Sequence, residues 1–313
     1  MKSVEDLIKS RQQRAAILTA FGEIPQSIMR HKLHDKAIDF HADGSYRATK
    51  NDGGYKGKLG NAFDVSNQGN EALSRFPQNI GRSLLLLYTK ENHLVIDPFA
   101  GHNSRMELCW RNNRHYAGND LSADFYRDNL KIAEMLKEEA ATDLFSEHFT
   151  AQIRLYHGDS RQLPFGDAEG DFTMTSPPYY DQEYYGDEPE QLGRAKTYAE
   201  FVIELAKVAR ENYRVLAPGA FCVWFVNDFR KDGVFYSFHE DTASMLRAAG
   251  FVQFDILIVD LGAPIRAAFA QQVIETKILP KRHEYGLVFR KPGGRPLPER
   301  SLYDDFEIGA SSE

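Results

Sequence analysis

The feature that most constrains the fold is a regular alternation of short apolar strands with segments of helical length. Seven strands are predicted, at residues 93–99, 115–120, 153–157, 171–175, 221–226, 251–260 and 283–290. Strands joined by helices lie parallel in a doubly wound sheet. The last strand follows a non-helical loop, so we expect it to run antiparallel. The sequence therefore predicts a Rossmann-like α/β fold with a seven-stranded, mostly parallel sheet.

Length and composition agree with one such domain and some additions to it. The 313 residues are 42% hydrophobic and 27% charged, which is ordinary for a globular protein. The chain has no run of eighteen apolar residues and begins without the apolar stretch of a signal peptide, so we expect a cytoplasmic protein with no membrane span. Cys109 and Cys222 do not have the spacing of a zinc site, and we expect free thiols and no metal. The net charge of -7 argues against a uniformly basic surface but allows a local basic cleft.

One predicted strand stops at a double proline, within the stretch Asp171–Tyr180. Proline fixes its own backbone and disfavours a helical residue before it, so Ser176 and Pro177 are held extended at the strand end. Ligands of open α/β sheets bind outside the carboxyl ends of the strands. A hydroxyl and a rigid carbonyl there can accept the hydrogens of a planar amine, while the ring of Tyr179 stacks on its face. The alternative interpretation is a tight turn with a surface tyrosine.

A second motif lies upstream, where an apolar strand ends in Asp97-Pro98-Phe99-Ala100-Gly101. Together with Thr175-Ser176-Pro177-Pro178-Tyr179, it resembles the amino-methyltransferases of DNA, over roughly residues 76–290. The resemblance implies S-adenosylmethionine as cofactor, and methyl transfer to the exocyclic nitrogen of cytosine or adenine in duplex DNA. It implies a methyltransferase catalytic domain at 76–290. An extension at 1–75 precedes this domain, and a polar tail at 291–313, expected to be disordered, follows it.

The resemblance assigns cofactor contacts to residues at successive strand ends. Asp120 matches the acid that accepts the ribose hydroxyl hydrogens, and Asp159 matches the acid that faces the adenine amine. Gly101 would allow a close backbone approach, while Asp97 would orient that turn or face the methionine ammonium. In the family, a segment like Phe76-Pro77 helps to hold the methionine end. The full set of expected cofactor-binding residues is Phe76, Asp97, Phe99, Gly101, Asp120, Asp159, Ser160 and Thr175.

The resemblance also implies the catalytic residues, which are Ser176, Pro177, Pro178 and Tyr179. The Ser176 hydroxyl and the Pro177 carbonyl would accept both amine hydrogens and free the nitrogen lone pair, and Tyr179 would stack on a base flipped out of the duplex. Cytosine-N4 enzymes of the family mostly carry Ser before Pro-Pro, whereas adenine-N6 enzymes mostly carry Asp or Asn. Ser176 therefore favours cytosine N4, with adenine N6 as the alternative. Tyr180 is expected to fill space that a purine would need.

The turn after Gly101 departs from the family pattern, which continues with small residues and a second glycine. Here His102-Asn103-Ser104-Arg105 follow, and they add bulk and charge on the cofactor side. Asparagine tolerates unusual backbone angles, so we expect the turn to survive. Two other interpretations stay open: an RNA or protein amino-methyltransferase that uses the same loop, and an inactive fold that only binds nucleic acid. The sequence does not indicate the oligomeric state.

Nucleic-acid contacts are expected from basic residues outside the motifs. Residues 30–60 contain seven basic and four acidic side chains, a balance of +3 in a chain whose net charge is -7. Cationic side chains are needed for phosphate contacts. The expected contact residues are Arg47, Lys50, Lys56, Lys58, Lys281 and Arg282, and a solvated extension is the alternative for the first four. The acidic and aromatic loop 180–196 is expected to close over the flipped base, with an ordinary surface loop as the alternative.

Overall fold

The computed structural model describes residues 26–30, 36–40, 46–50, 76–142, 150–182, 186–261, 273–279 and 281–293. The strands are β1 (Ile28–Arg30), β2 (Lys36–Phe40), β3 (Tyr46–Lys50), β4 (Leu94–Asp97), β5 (His115–Asp120), β6 (Ile153–His157), β7 (Gly170–Thr175), β8 (Leu216–Val226), β9 (Phe229–Lys231), β10 (Val234–Tyr236), β11 (Val252–Asp260) and β12 (His283–Arg290). The helices are α1 (Gln78–Tyr88), α2 (Ser104–Arg111), α3 (Ala123–Thr142), α4 (Tyr198–Val215) and α5 (Phe238–Ala248), with 3₁₀ turns at Ser160–Gln162 and Leu192–Arg194.

The main sheet has the strand order β1-β11-β12-β8-β7-β4-β5-β6. β12 runs antiparallel to both of its neighbours, and all other neighbouring pairs are parallel. The predicted Rossmann-like, mostly parallel sheet with one antiparallel strand is thus confirmed. The predicted number of strands is wrong, because the described part of the sheet has eight.

The additional strand is β1, which pairs with β11 from Ile28 opposite Ile258 to Arg30 opposite Asp260. It lies in a stretch predicted to be loop-rich. Three residues, of which Met29 alone is buried, are too few to show the alternation that marks a strand. Its position depends on a partner more than 200 residues away, as the Arg30–Asp260 ion pair of 3.1 Å shows. Two short hairpins, β2–β3 and β9–β10, were also not predicted.

β8 begins earlier than predicted, directly after α4. The sequence predicts that Pro218-Gly219 separates the helix from a strand at 221–226, but the strand includes both residues. The pairing with β7 is irregular at this point, where Gly170 is opposite Leu216 and Phe172 is opposite Phe221. Such an irregularity accommodates a proline because no ladder hydrogen bond is required from it.

Apolar side chains cover both faces of the sheet. Helices α1, α2 and α3 pack on one face, where Ile80, Met106 and Leu136 are fully buried. Helices α4 and α5 pack on the other face through residues such as Phe201 and Leu246. The carboxyl ends of β4, β5, β6, β7 and β8 consequently meet along one edge, which neither helix layer covers completely.

The stretch Thr197–Glu200 has the sequence pattern of a capping box, and the hydrogen bond of the N-cap side chain is present at the start of α4. The Glu200 backbone N–H donates to Thr197 Oγ1 at 3.1 Å, and Glu200 Oε2 accepts from the Lys196 N–H at 3.0 Å. Each described helix is too short or too polar to cross a membrane. The predicted helix at 3–21, Lys56, Lys58 and nearly all of the predicted tail lie outside the described residues.

Candidate active site

A cleft opens at the carboxyl ends of the parallel strands. It encloses about 1080 Å³ of empty space, part of which is open to solvent. All four predicted catalytic residues, Ser176, Pro177, Pro178 and Tyr179, line this cleft. Six of the eight predicted cofactor residues line it as well: Phe76, Phe99, Gly101, Asp120, Asp159 and Ser160. Two motifs that are about 75 residues apart in sequence therefore form the walls of one cavity.

The turn after β4 is held by hydrogen bonds from the end of the next strand. Gly101 has a φ of +50°, in the left-handed region that favours glycine. Its backbone N–H donates to Asp120 Oδ2 at 2.7 Å, and its carbonyl accepts from Asn129 Nδ2 at 2.8 Å. The Ala100 N–H donates to the Asn119 carbonyl at 3.0 Å. The turn thus presents backbone to the cleft in a fixed orientation, despite its unusual sequence.

Asp97 and Thr175 are the two predicted cofactor residues that do not line the cleft. Both are fully buried beneath it, and Thr175 Oγ1 donates to Asp97 Oδ1 at 2.6 Å. Asp97 Oδ2 also accepts from Arg105 Nε at 2.6 Å and from the Tyr116 hydroxyl at 2.9 Å. Two roles were predicted for Asp97, orienting the turn after β4 or facing the methionine ammonium. The contacts of Asp97 in the structure agree with the first role. The structure does not show a carboxylate facing the cavity, because these donors and their side chains enclose it.

His102 and Arg105 both line the cleft, as the sequence predicted. The Arg105 guanidinium also holds the turn, because it is paired with Asp97 and donates to the carbonyls of Phe99 and Ala100. Burial lowers the pKa of Arg105, but Asp97, Tyr116 and Asp120 together raise it above its ordinary value. His102 packs against Phe125, with the ring centroids 4.9 Å apart. The departure from the family pattern is therefore accommodated by an ion pair beneath the turn.

Asp120 occupies the end of β5, where its carboxylate bridges two backbone segments. Oδ1 accepts from the Ser122 N–H at 2.8 Å, while Oδ2 accepts from Gly101. Burial raises the pKa of Asp120 to about 6, although these two N–H donors lower it and Asp97 raises it further. Each carboxylate oxygen has a second lone pair, so both can accept another hydrogen bond from a ligand hydroxyl.

The third strand end is fixed by a second ion-pair network. The Asp159 carboxylate accepts from Arg161 Nε and Nη2, the latter at 2.6 Å, and Arg161 Nη1 reaches Glu204 on α4 at 2.6 Å. Ser160 accepts from Asn119 Nδ2 at 2.8 Å and donates to the Pro98 carbonyl. Asp159 and Ser160 therefore connect the ends of β4, β5 and β6 with helix α4 along the floor of the cleft.

The Pro-Pro loop leaves β7 in an extended path with both prolines buried and Ser176 half-buried. The Tyr179 ring lies edge-on to Phe238 with a centroid distance of 5.9 Å, and its hydroxyl donates to Glu284 Oε1 at 2.8 Å. Tyr180 has a φ of +48° and turns into the core, where it packs against Phe201. The expectation that Tyr180 fills the space of a purine is wrong, because this backbone turn directs the ring away from the cleft.

The described part of the loop expected to form a lid lies over the cofactor side of the cleft. Glu190, Gln191 and Leu192 line the cavity, and Glu188 Oε1 accepts from the Ala123 N–H at 3.1 Å, at the start of α3. The segment therefore forms part of the cavity wall, while residues 183–185 lie outside the described chain. Its closure over a base stays a prediction.

Sequence reasoning missed several cleft residues, among them Glu284, Val208 and Phe225. Each comes from an element whose position relative to the motifs is set by the packing of the fold, so no local pattern identifies it. Gln191 and Leu192 lie in the loop 180–196 that the sequence singled out, although neither residue was named.

The predicted nucleic-acid residues lie away from the motifs. Arg47 and Lys50 are in β3, and Lys281 and Arg282 precede β12. Arg282 Nη2 is 3.8 Å from Asp260 Oδ1, and neither Lys281 nor Arg282 lines the cleft. Their contact with nucleic acid stays a prediction.

The donor set of the cleft fits a nucleoside-like cofactor with a charged tail. A half-buried carboxylate at the end of β5, that of Asp120, suits ribose hydroxyls. The left-handed Gly101 gives close access to the backbone, because any other residue would be strained at this φ. Aromatic and apolar walls from Phe76, Phe99 and Phe125 suit a planar base and a thioether chain.

Comparison with known proteins gives partial similarities. No family model matches the chain, and no curated protein matches it. A candidate DNA modification methylase of Thermus thermophilus, complexed with S-adenosyl-L-methionine, has 30% identity and a TM-score of 0.34, over 45% of this chain and 54% of that chain. A candidate methyltransferase of Bacillus halodurans has 16% identity and a TM-score of 0.44, over 68% of this chain and 99% of that chain. A methyltransferase from Methanosarcina mazei, described as S-adenosylmethionine-dependent, has 13% identity and a TM-score of 0.43, over 70% of this chain and 99% of that chain. The chain thus spans about half of the length of the Thermus protein.

Proposed function

We propose that this protein is an S-adenosylmethionine-dependent DNA methyltransferase that modifies the exocyclic amino group of a flipped base, with cytosine N4 as the target. The observation that carries the proposal is the meeting of the two motifs in one cleft. Ser176 and Tyr179 line it together with Gly101 and Asp120. A site for an amine therefore adjoins a site for a nucleoside-like cofactor.

The cofactor would be held by the ends of β4, β5 and β6. Asp120 would accept hydrogens from the ribose hydroxyls, and Asp159, fixed by Arg161, would accept a hydrogen from the adenine amine. Phe76 and Phe99 would contact its apolar parts. When bound, the cofactor supplies a methyl group that is activated by a positively charged sulfur.

The chemistry required of the protein is to make the amine a better nucleophile and to orient it. The Ser176 hydroxyl and the Pro177 carbonyl would accept the two N–H hydrogens, so the nitrogen lone pair is less delocalised into the base. The rigid Pro-Pro backbone keeps both acceptors in place without a further entropy loss on binding. Tyr179 would stack on the base, which has to leave the duplex to enter the cleft.

The choice of cytosine over adenine rests on Ser176, because cytosine-N4 enzymes of the family mostly carry Ser before Pro-Pro. Tyr180 does not support this choice, since it lies in the core. The interpretation as an inactive fold stays an alternative, and the hydrogen bond from Arg105 to Asp97 beneath the altered turn supports the enzyme. Cofactor binding, measured by calorimetry, distinguishes an inactive fold from an enzyme.

The test is incubation of the protein with radiolabelled S-adenosylmethionine and equal masses of unmethylated DNA, RNA and protein. The proposal predicts label in DNA, and Ser176→Ala serves as the control that binds the cofactor but transfers little label. Label in RNA or protein alone would replace DNA as the substrate. Cofactor binding without label in any polymer would contradict the proposed activity.

A further inference from the structure

Glu284 lines the same cleft as the Pro-Pro loop, although no sequence motif marks it. It lies on the antiparallel strand β12, which pairs with β8 up to Tyr285 opposite Val226. One step further along this register, Glu284 is brought beside Asn227, where β8 has just ended. Because β8 is also the neighbour of β7, the strand order places a carboxylate next to the loop that carries Ser176.

Contacts to the loop fix this carboxylate on the amine side of the cleft. Glu284 Oε1 accepts a hydrogen bond from the Tyr179 hydroxyl at 2.8 Å. Nearby, Asn227 Oδ1 is buried and has no hydrogen-bond partner in the described structure. Asn227 does not itself line the cleft, so Glu284 provides the carboxylate that a ligand N–H on this side would meet.

The chemistry requires a negative charge that the loop does not provide. Ser176 supplies a neutral hydroxyl, and a neutral amine becomes cationic as it accepts a methyl group. The carboxylates at the other strand ends are engaged, since Asp120 binds two backbone N–H groups and Asp159 binds Arg161. Glu284 is the cleft-lining carboxylate that is hydrogen-bonded to the Pro-Pro loop.

On the basis of the proposed function, we propose that Glu284 is a further catalytic residue, which faces the target amine and accepts the proton that the amine loses. The amine nitrogen bonds to the methyl carbon while the carbon–sulfur bond of the donor breaks, and the electron pair of that bond stays on sulfur, which becomes neutral. The nitrogen is positively charged until one of its two protons is released from its hydrogen bond to Ser176 and passes to the Glu284 carboxylate. Solvent then takes this proton from the neutral carboxyl group.

Glu284→Gln tests this role because glutamine keeps the shape of the side chain and an acceptor for Tyr179 but has no charge. The measurements are kcat and KM for methyl transfer to unmethylated DNA, Kd for S-adenosylmethionine and the melting temperature. We expect kcat to fall about 100-fold, as for loss of a general base, with KM, Kd and melting temperature nearly unchanged. Glu284→Asp, which retains the charge, recovers part of kcat. Glu134→Gln, a matched change at an exposed site of α3, leaves all four values unchanged.

Two outcomes would overturn the role of Glu284. One is a kcat of Glu284→Gln within about threefold of the wild-type value, where a general base would contribute far more. The other is a fall in kcat with equal losses of cofactor affinity and melting temperature, which would indicate a structural role. If the wild-type protein methylates no nucleic acid, the proposed function itself fails, and this result is distinct from an active wild type with an unaffected variant.

Discussion

At the scale of single residues, we expect Asp120 to make cofactor binding depend on pH. Its pKa is raised from 3.8 to about 6 by burial, so the neutral form is favoured in the free protein. The folded protein therefore binds this proton more tightly than the unfolded chain does, which stabilises the fold. This contribution is fully present below pH 3.8 and is lost as the pH rises through about 6. A ligand hydroxyl donates to the ionised carboxylate, so cofactor affinity has the opposite dependence on pH.

We therefore expect Kd for S-adenosylmethionine to rise about tenfold between pH 7.5 and pH 5, where only about one tenth of a group with this pKa is ionised. Calorimetric titration at several pH values measures it. Asp120→Asn should bind more weakly at pH 7.5, with little dependence on pH. It should also lose some stability, because the amide oxygen can replace only one of the two acceptors for the Gly101 and Ser122 N–H groups. A wild-type Kd that stays constant over this range would remove Asp120 from the cofactor site.

Ser176 contacts the amine and not the cofactor in our proposal. Ser176→Ala should therefore lose most of the turnover while its Kd for S-adenosylmethionine stays at the wild-type value. Methyl transfer under single-turnover conditions and calorimetry measure the two quantities separately. Wild-type turnover in this variant would contradict the assigned mechanism.

Residues of the site differ in how far the sequence reveals them. Gly101, Asp120, Asp159 and Ser176 follow apolar strands directly, so strand prediction and the resemblance were enough to locate them at the cleft. Glu284 could not be found in this way, because its approach to the loop depends on the antiparallel insertion of β12 between β8 and β11. The sequence identified Asp97 as a site residue but did not predict that it is buried. Its burial depends on Arg105 and Tyr116, which pack around the carboxylate beneath the turn.

At the scale of elements, the turn between β4 and α2 depends on the buried pair Asp97–Arg105. Removing one partner leaves a buried charge without compensation, which costs about 3–5 kcal/mol. We expect Asp97→Asn to lower the free energy of unfolding, measured in urea, by an amount in this range. If the variant is too unstable to purify, the double variant Asp97→Asn with Arg105→Met should recover part of the stability. An unchanged free energy of unfolding in Asp97→Asn would show that the pair does not hold the turn.

The start of α4 is a second element whose stability follows from a local pattern. Thr197→Ala removes the acceptor for the Glu200 N–H and should cost about 1 kcal/mol in the free energy of unfolding. Ser244→Ala on α5 is the matched control, since that hydroxyl donates only to the Glu240 carbonyl within its own helix. Equal effects of the two substitutions would contradict a specific capping role for Thr197.

Elements with strong local signals were predicted well, and those without them were missed. β5, β6 and β12 have the predicted bounds because apolar residues recur within each strand and turn residues mark ends such as Asn113 before β5 and Gly158 after β6. β1 is three residues long and depends on β11, so pairing with a distant strand outweighs local preference there. The β9–β10 hairpin is local: its strands are too short to show alternation, and its only signal is the Asp232-Gly233 turn, where both residues have positive φ.

At the scale of the whole molecule, the sheet brings the ends of its parallel strands to one side, where the cofactor and amine sites adjoin. Three of these strand ends carry the residues expected to hold the cofactor, and the fourth carries the Pro-Pro loop. β12 adds Glu284 to the amine side of the cleft, and Lys281 and Arg282 precede this strand without lining the cleft. This arrangement is the structural basis for our central claim, that the protein transfers a methyl group to an amino group of a DNA base.

The most direct measurement is digestion of DNA to nucleosides after incubation with the protein and S-adenosylmethionine, followed by mass spectrometry. We predict N4-methylcytosine in DNA treated with the wild-type protein, and almost none in DNA treated with Ser176→Ala. N6-methyladenine alone would contradict the assignment of cytosine. 5-Methylcytosine, or no methylated nucleoside with a protein that binds the cofactor, would contradict the claim that the amino group of a DNA base is the target.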